Sequence, residues 1–239
     1  MQGPGAILFD AGGTLIRLKE SVGMTYVRHA LGFGLSVPFS FDLCKKVDNS
    51  FHRVFSKYQP LCFPLTDSFL LVEMEKEWWL RIVTETFQGI AKIRDFGGFF
   101  DSIYEFFSGS DSWVLENGSL EVLEKLQQWS IPVVVVSNFD SRLPALLEIL
   151  GVSHLLSGIV FSSGVGMAKP DPRIFRLALQ KISIRPNNCW HVGDSIKDDY
   201  EGAIKAGIKP LLYDFSDKYS SSRCRRIKNL SEILTCIKK

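Results

Sequence analysis

The sequence has no large excess of either charge, few cysteines and no long apolar run. Its 28 basic and 26 acidic residues leave a formal charge of +2, too small a field to gather nucleic acid or an anionic membrane surface. The basic stretch 223–228 is short and reads as a solvated face near the C-terminus. Five cysteines, Cys44, Cys62, Cys189, Cys224 and Cys236, show neither close pairing nor histidine neighbours at zinc spacing, and an odd number suits a disulfide framework poorly. No apolar run approaches the ~20 residues that span a bilayer. The N-terminus carries neither a charged n-region nor an apolar h-region. The expectation is a soluble protein of the cytoplasm or another reducing intracellular compartment, with an organelle reached through a removed presequence equally compatible. No internal repeat is visible.

What is present is a chain of 239 residues with 46% hydrophobic content, ample for one large domain or two modest ones. Residues 7–14 read Ile-Leu-Phe-Asp-Ala-Gly-Gly-Thr: a buried strand, then a lone carboxylate, Asp10, where two glycines allow a sharp turn. An Asp followed by two glycines is by itself more often an ordinary turn. At the carboxyl end of a strand in an open parallel sheet, however, it stands where ligands bind, and it can act as a nucleophile or hold a metal.

After Thr14 the pattern turns helical and aromatic until about Trp113, with helices expected over 24–31, 41–58, 70–87 and 99–107. From Ser119 helix and strand alternate. A helix bearing Val122, Leu123, Leu126 and Trp129 ends before Pro132, and 133–136 is a β-branched strand. Asp140 is placed to cap a helix reaching Leu150, and Asp171-Pro172 opens another. Further strands are expected at 159–161, 190–193 and 210–213. A helix is expected over 198–206, and a last one after a capping box of Asn229 and Glu232. The expected fold class is α/β, a doubly wound, Rossmann-like parallel sheet with an inserted all-helical domain. The boundaries expected are 1–17 and 113–239 for the core and 18–112 for the insert.

Each expected strand end carries a chemically useful residue: Asp10, then Ser137 and Asn138, then Lys169 beside the third, then Asp194. Asp199 lies one helical turn beyond Asp194 and can face the same point. Carboxylates crowded together repel unless a cation lies between them, and Asp10 with Asp194 suits Mg2+, which takes a few carboxylates, waters and a substrate phosphate. Lys169 offers a point charge to a phosphate oxygen, and Ser137 with nearby backbone N–H groups offers neutral donors. The implied chemistry is attack of Asp10 on phosphorus, then hydrolysis of the aspartyl-phosphate.

In these residues the chain resembles the haloacid dehalogenase (HAD) superfamily of hydrolases. The four motifs of that family match residues 10–14, Ser137 with Asn138, Lys169 in Lys-Pro-Asp-Pro, and 193–199, and the insert resembles the family's C1-type cap. The runs Glu-Trp-Trp at 77–79 and Ser-Asn-Phe-Asp at 137–140 point to one branch of it. The resemblance implies metal ligation by Asp10, the Gly12 carbonyl, Asp194 and Asp199, phosphate binding by Ser137, Asn138 and Lys169, and a small phosphorylated substrate, with neither nucleic acid nor membrane as partner.

The chain departs from the family at Gly12, where phosphatases usually carry a second Asp that protonates the leaving oxygen and activates water. Without an acid and base worth roughly 10²- to 10⁴-fold, the expectations are weak hydrolysis or, alternatively, a phosphate-binding or protein-interaction module with little turnover. Dehalogenases lack that acid too, but they also lack the paired acids here at Asp194 and Asp199. A phosphonatase would need an insert lysine, for which Lys19 is the candidate. Bland readings are preferred for His191 (packing in a buried strand), His29 and His52 (helix surface), Asp198 (a helix N-terminal charge), and Trp78, Trp79, Phe99, Phe100, Phe106 and Phe107 (mostly core).

Overall fold

The structure, a computed structural model, describes residues 3–238; the first two residues of the expected segment 1–17 and the last residue of 113–239 lie outside them. Strand β1 (Ala6–Phe9) is apolar and buried throughout, as a strand covered on both faces must be. The chain turns around the Ala11 carbonyl, which accepts the N–H groups of Thr14, Leu15 and Ile16, and enters β2 (Ile16–Leu18). Four helices follow, α1 (Val22–Gly32), α2 (Phe41–Phe55), α3 (Ser68–Phe87) and α4 (Phe96–Phe106). Each is opened by a side chain, from Ser21, Ser40, Asp67 and Asp95, that accepts an otherwise orphaned first-turn N–H. β3 (Trp113–Leu115) pairs with β2 in a two-stranded sheet. The remainder alternates: α5 (Ser119–Gln128), β4 (Val133–Ser137), α6 (Leu143–Ile149), β5 (Gly158–Phe161), the short α7 (Ser162–Val165), α8 (Pro172–Ile182) and β6 (Cys189–Gly193). A turn of π-helix (Ile196–Glu201) then runs into α9 (Gly202–Lys205), followed by β7 (Lys209–Tyr213), β8 (Arg226–Ile227) and α10 (Glu232–Lys238).

Among the described residues, one six-stranded sheet has the order β5-β4-β1-β6-β7-β8, and its neighbouring strands pair in parallel. The chain fills one side of β1 with β4 and β5, then crosses to fill the other with β6, β7 and β8. The crevice at the carboxyl ends of β4, β1 and β6 is therefore a topological switch point, where such sheets bind ligands. On one face Ala6, Leu8, Val134, Val136 and Val160 pack against Ile174, Phe175, Ala178 and Leu179 of α8 and Ala203 of α9. Burial of each large apolar side chain here contributes about 1.5–3 kcal/mol, which makes the floor of the crevice rigid.

By internal packing the chain divides into two compact units. The first contains the chain up to Arg17, Leu61–Leu65, and everything from Leu115 onward; the second contains Leu18–Pro60 and Thr66–Val114. The second unit is centred on Tyr26, Phe51, Phe87 and Phe99, whose rings meet 5.4–6.2 Å apart, mostly edge to face. Trp78, Trp79 and Phe107 pack on that core and Phe100 lies within it, while Phe106 packs on the His29 ring. No helix among the described residues is long and apolar enough to cross a membrane.

Several local expectations change. Asp140 does not cap α6: its carboxylate takes Arg142 through the backbone N–H and the guanidinium, at 2.6–3.1 Å, and the helix begins at Leu143. The helix expected over 198–206 opens instead as the π-turn, capped by Ser195, which accepts from Asp198 N–H. Gly97 and Gly98, expected in a loop, form the first turn of α4 because Asp95 caps it. Within the stretch expected to be a solvated basic face, Arg226 and Ile227 form the edge strand β8, and Arg226 binds Asp214 and Asp217. His29 is not simple helix surface; its Nδ1 lies 3.0 Å from the Ser102 hydroxyl.

Candidate active site

Asp10 is the first residue beyond β1, held by its backbone N–H to the Val192 carbonyl at 2.9 Å. The residue is 5% exposed. Oδ1 accepts the Lys169 ammonium at 2.6 Å, and the Ser137 hydroxyl at the end of β4 donates to the same carboxylate. Lys169 sits in the loop before α8, where the Asn138 side chain clamps its main chain: Oδ1 accepts Lys169 N–H at 2.7 Å and Nδ2 donates to its carbonyl at 3.0 Å. That side chain is committed to placing Lys169, and its main-chain N–H is what it has to offer an oxyanion.

Asp194 follows β6 directly, and two glycines make its surroundings possible. Gly13, in the left-handed region at φ +84°, lies so close that a Cβ there would stand 2.6 Å from Asp194 Oδ2. Gly193 leaves room for the Asp199 carboxyl group, which would overlap any side chain at that position. Asp199 is brought back toward β6 by the π-turn. Its Oδ2 accepts Ser195 N–H at 3.0 Å, and its Oδ1 takes both Lys169 Nζ at 2.6 Å and His191 Nε2 at 2.8 Å.

One carboxylate oxygen from each of Asp10, Asp194 and Asp199 lies within 4.8 Å of the other two. One internal cation, Lys169, sits among these three acids, and their titration reflects the imbalance. Burial raises the Asp10 carboxyl despite Lys169, and repulsion by Asp199 adds to that. Burial also raises Asp194, together with the charges of Asp10 and Asp199, to about 7. For Asp199 burial opposes the charge, but Lys169 and the His191 hydrogen bond outweigh it and hold the carboxyl well below its usual range. For Lys169 burial likewise opposes the charge, and the two carboxylates reverse the shift upward.

The hard oxygen donors of Asp10 and Asp194, crowded together, fit a small divalent ion. Asp199 fits less directly as a ligand, because both of its oxygens are already engaged by protein donors. Gly12 is not required by the backbone. Its φ lies outside the left-handed region, and a Cβ there would meet nothing within 4 Å.

The family model for haloacid dehalogenase-like hydrolases matches residues 4–207. The chain belongs to the haloacid dehalogenase-like hydrolases. It is 32% identical over 220 residues to mouse haloacid dehalogenase-like hydrolase domain-containing protein 3, covering 90% of this chain and 84% of that protein. It is 29% identical over 217 residues to the Drosophila melanogaster rhythmically expressed gene 2 protein, covering 86% and 81%. Among solved structures, a dehalogenase superposes with a TM-score of 0.71 at 21% identity, covering 98% of this chain and 97% of that one. The Bacillus subtilis HAD-hydrolase YfnB, solved bound to magnesium, gives 0.71 at 17% with both chains fully covered. At these identities the two structures speak for the HAD fold.

Within this HAD hydrolase the structure brings Asp10, Ser137, Lys169, Asp194 and Asp199 together. Lys19 belongs to the second unit, its N–H bonded to the Ser112 carbonyl. Asp198 lies in the first turn of the π-helix, where its N–H donates to the Ser195 hydroxyl that caps it, while burial raises its carboxyl. Sequence reasoning missed His191 as a member of the network. The available signal was its spacing, since His191 and Gly193 lie two apart on β6 and so share a face, and Gly193 is where Asp199 fits.

Proposed function

We propose that this HAD hydrolase is a magnesium-dependent phosphatase that cleaves a small phosphorylated molecule through an aspartyl-phosphate on Asp10. The observation that carries the reading is the setting of Asp10, with the Lys169 ammonium at 2.6 Å on one side and the acid cluster with Asp194 within 4.8 Å on the other. A nucleophilic carboxylate must approach a phosphate dianion, and that encounter needs positive charge placed beside both anions. Asp10, Asp194 and the Gly12 carbonyl would hold Mg2+, with Asp199 supporting them through Lys169. When bound, the ion neutralises charge on the transferring phosphoryl group. The magnesium in the YfnB structure supports this choice of ion.

A carboxylate oxygen of Asp10 attacks phosphorus, and its new P–O bond forms as the bond to the leaving oxygen breaks. Lys169, the Ser137 hydroxyl and the main-chain N–H of Asn138 hold the phosphoryl oxygens. The leaving oxygen takes its proton from water, because Gly12 offers none. A second water then attacks phosphorus, giving its proton to the hydroxide left by the first, and the acyl-phosphate bond breaks to release inorganic phosphate and restore the Asp10 carboxylate. The helical insert 18–112 is read as the cap that selects the substrate, and the substrate as a small molecule.

Without the acid, leaving groups of low basicity are favoured, so aryl phosphates should be cleaved and alkyl phosphates hardly at all. The test is metal-dependent hydrolysis of both by the native chain, Gly12→Asp and Asp10→Asn. Weak aryl-selective activity, a gain with Gly12→Asp and loss with Asp10→Asn are expected. Gly12 also motivates a second reading, a phosphate-binding or interaction module; inert native and Gly12→Asp proteins across a broad phosphate panel would establish it. Halide release from a haloacid without metal would instead mark a dehalogenase.

A further inference from the structure

We propose that His191 is a positioning residue that, by gripping Asp199, keeps the Lys169 ammonium seated on Asp10. The role rests on the phosphoryl-transfer reading above. The His191 side chain is wholly buried in β6, and its ring meets Phe175 edge-on at 4.9 Å and 84°. Its Nε2 lies 2.8 Å from Asp199 Oδ1, whereas its Nδ1 is buried with no hydrogen-bond partner among the described residues. A hydrogen on Nδ1 would be left unsatisfied, so the hydrogen resides on Nε2 and is donated to Asp199.

Asp199 Oδ1 is thus shared by two donors, His191 Nε2 and Lys169 Nζ, while Oδ2 is fixed by Ser195 N–H. Lys169 is a long side chain whose ammonium must serve Asp10 and Asp199 together at 2.6 Å each. With His191 in place, Asp199 is satisfied and fixed, and Lys169 stands midway with its third N–H available for a phosphoryl oxygen. Without His191, Asp199 turns Oδ1 wholly to Lys169 and draws it from Asp10. A histidine that only filled space would leave the Lys169 contact unchanged when replaced by another polar side chain.

The amide nitrogen of glutamine reaches the place of Nε2, while that of asparagine reaches only the place of Nδ1. His191→Gln should therefore preserve the grip and His191→Asn lose it. Two readouts are taken on the full chain: proton–nitrogen NMR of the His191 ring and the Lys169 ammonium, and steady-state hydrolysis of an aryl phosphate with Mg2+. The expected results are a hydrogen on Nε2 and a slowly exchanging Lys169 ammonium signal in the native protein and His191→Gln, with that signal lost in His191→Asn. In His191→Asn kcat should fall about tenfold with KM within about twofold, and His191→Gln should restore it. A hydrogen on Nδ1 of the native protein, or a folded His191→Asn that keeps both the Lys169 signal and kcat, overturns the proposal. If the native protein leaves aryl phosphate untouched, the phosphatase reading fails, and the two NMR signals still decide the role of His191. The ring measurement needs no variant, so misfolding of His191→Asn would not shield the proposal.

Discussion

Gly193 and Asp199 are packed so closely that the carboxyl group of Asp199 occupies the space any side chain at 193 would need. Gly193→Ala must push Asp199 away from Ser195, Lys169 and His191 together. We expect a loss of about 1–3 kcal/mol of stability, read by thermal or urea unfolding. Hydrolysis should fall at least tenfold, because the same displacement unseats Lys169.

Asn138 is expected to matter through the main chain of Lys169, which its side chain holds. Asn138→Ala removes both hydrogen bonds that fix the Lys169 main chain, for a loss of about 1–3 kcal/mol. Activity should drop while Mg2+ affinity, measured by calorimetry, changes little, because the carboxylates proposed to hold the ion, Asp10 and Asp194, lie elsewhere. Equal losses of metal affinity and activity would place Asn138 nearer the ion than its hydrogen bonds do.

Asp194 makes metal-free stability depend on pH. Its carboxyl is raised from 3.8 to about 7, chiefly by burial and then by Asp10 and Asp199. The folded chain therefore retains a proton that the unfolded chain releases, so this contribution is full below about pH 4 and is lost as pH rises through about 7. In the presence of a chelator, Asp194→Asn should melt higher than the native protein at pH 7–8, by roughly 5 °C, and the difference should close toward pH 4. Mg2+ binding needs the deprotonated carboxylate, so apparent affinity should rise with pH up to about 7 and then level off.

The strand ends were legible because a parallel sheet announces itself in the sequence: short apolar runs, helices between them, and a polar residue at each carboxyl terminus. Asp10, Ser137, Lys169 and Asp194 could be placed from that pattern. The second task of each residue could not. Asn138 clamps Lys169 across 31 positions of sequence, and His191 meets Asp199 where the chain after Ser195 winds as a π-turn. Asp140 has the composition of a helix cap, yet an arginine two residues on competes for the same carboxylate and wins by bonding through both backbone and guanidinium. Leu61–Leu65 reads as part of the helical insert but packs with the first unit, where the Phe63 carbonyl would stand 2.9 Å from a Cβ at Gly166. Such contacts depend on tertiary partners that no local periodicity encodes.

Gly12 should affect both halves of the proposed reaction, since the missing side chain would first have protonated the leaving oxygen and later activated water. With the second half slowed, the phosphorylated enzyme should persist long enough to be captured. Gly12→Asp, for which space exists, should shorten its lifetime while raising turnover by at least tenfold.

The direct measurement is therefore to mix the native chain with an aryl phosphate and Mg2+, reduce with borohydride, and locate the product by peptide mass spectrometry. Conversion of residue 10 to homoserine is the expected result, with none in Asp10→Asn or in the presence of a chelator. A trapped phosphate on any other residue, or aryl phosphate hydrolysis that survives Asp10→Asn, would contradict Asp10 as the nucleophile.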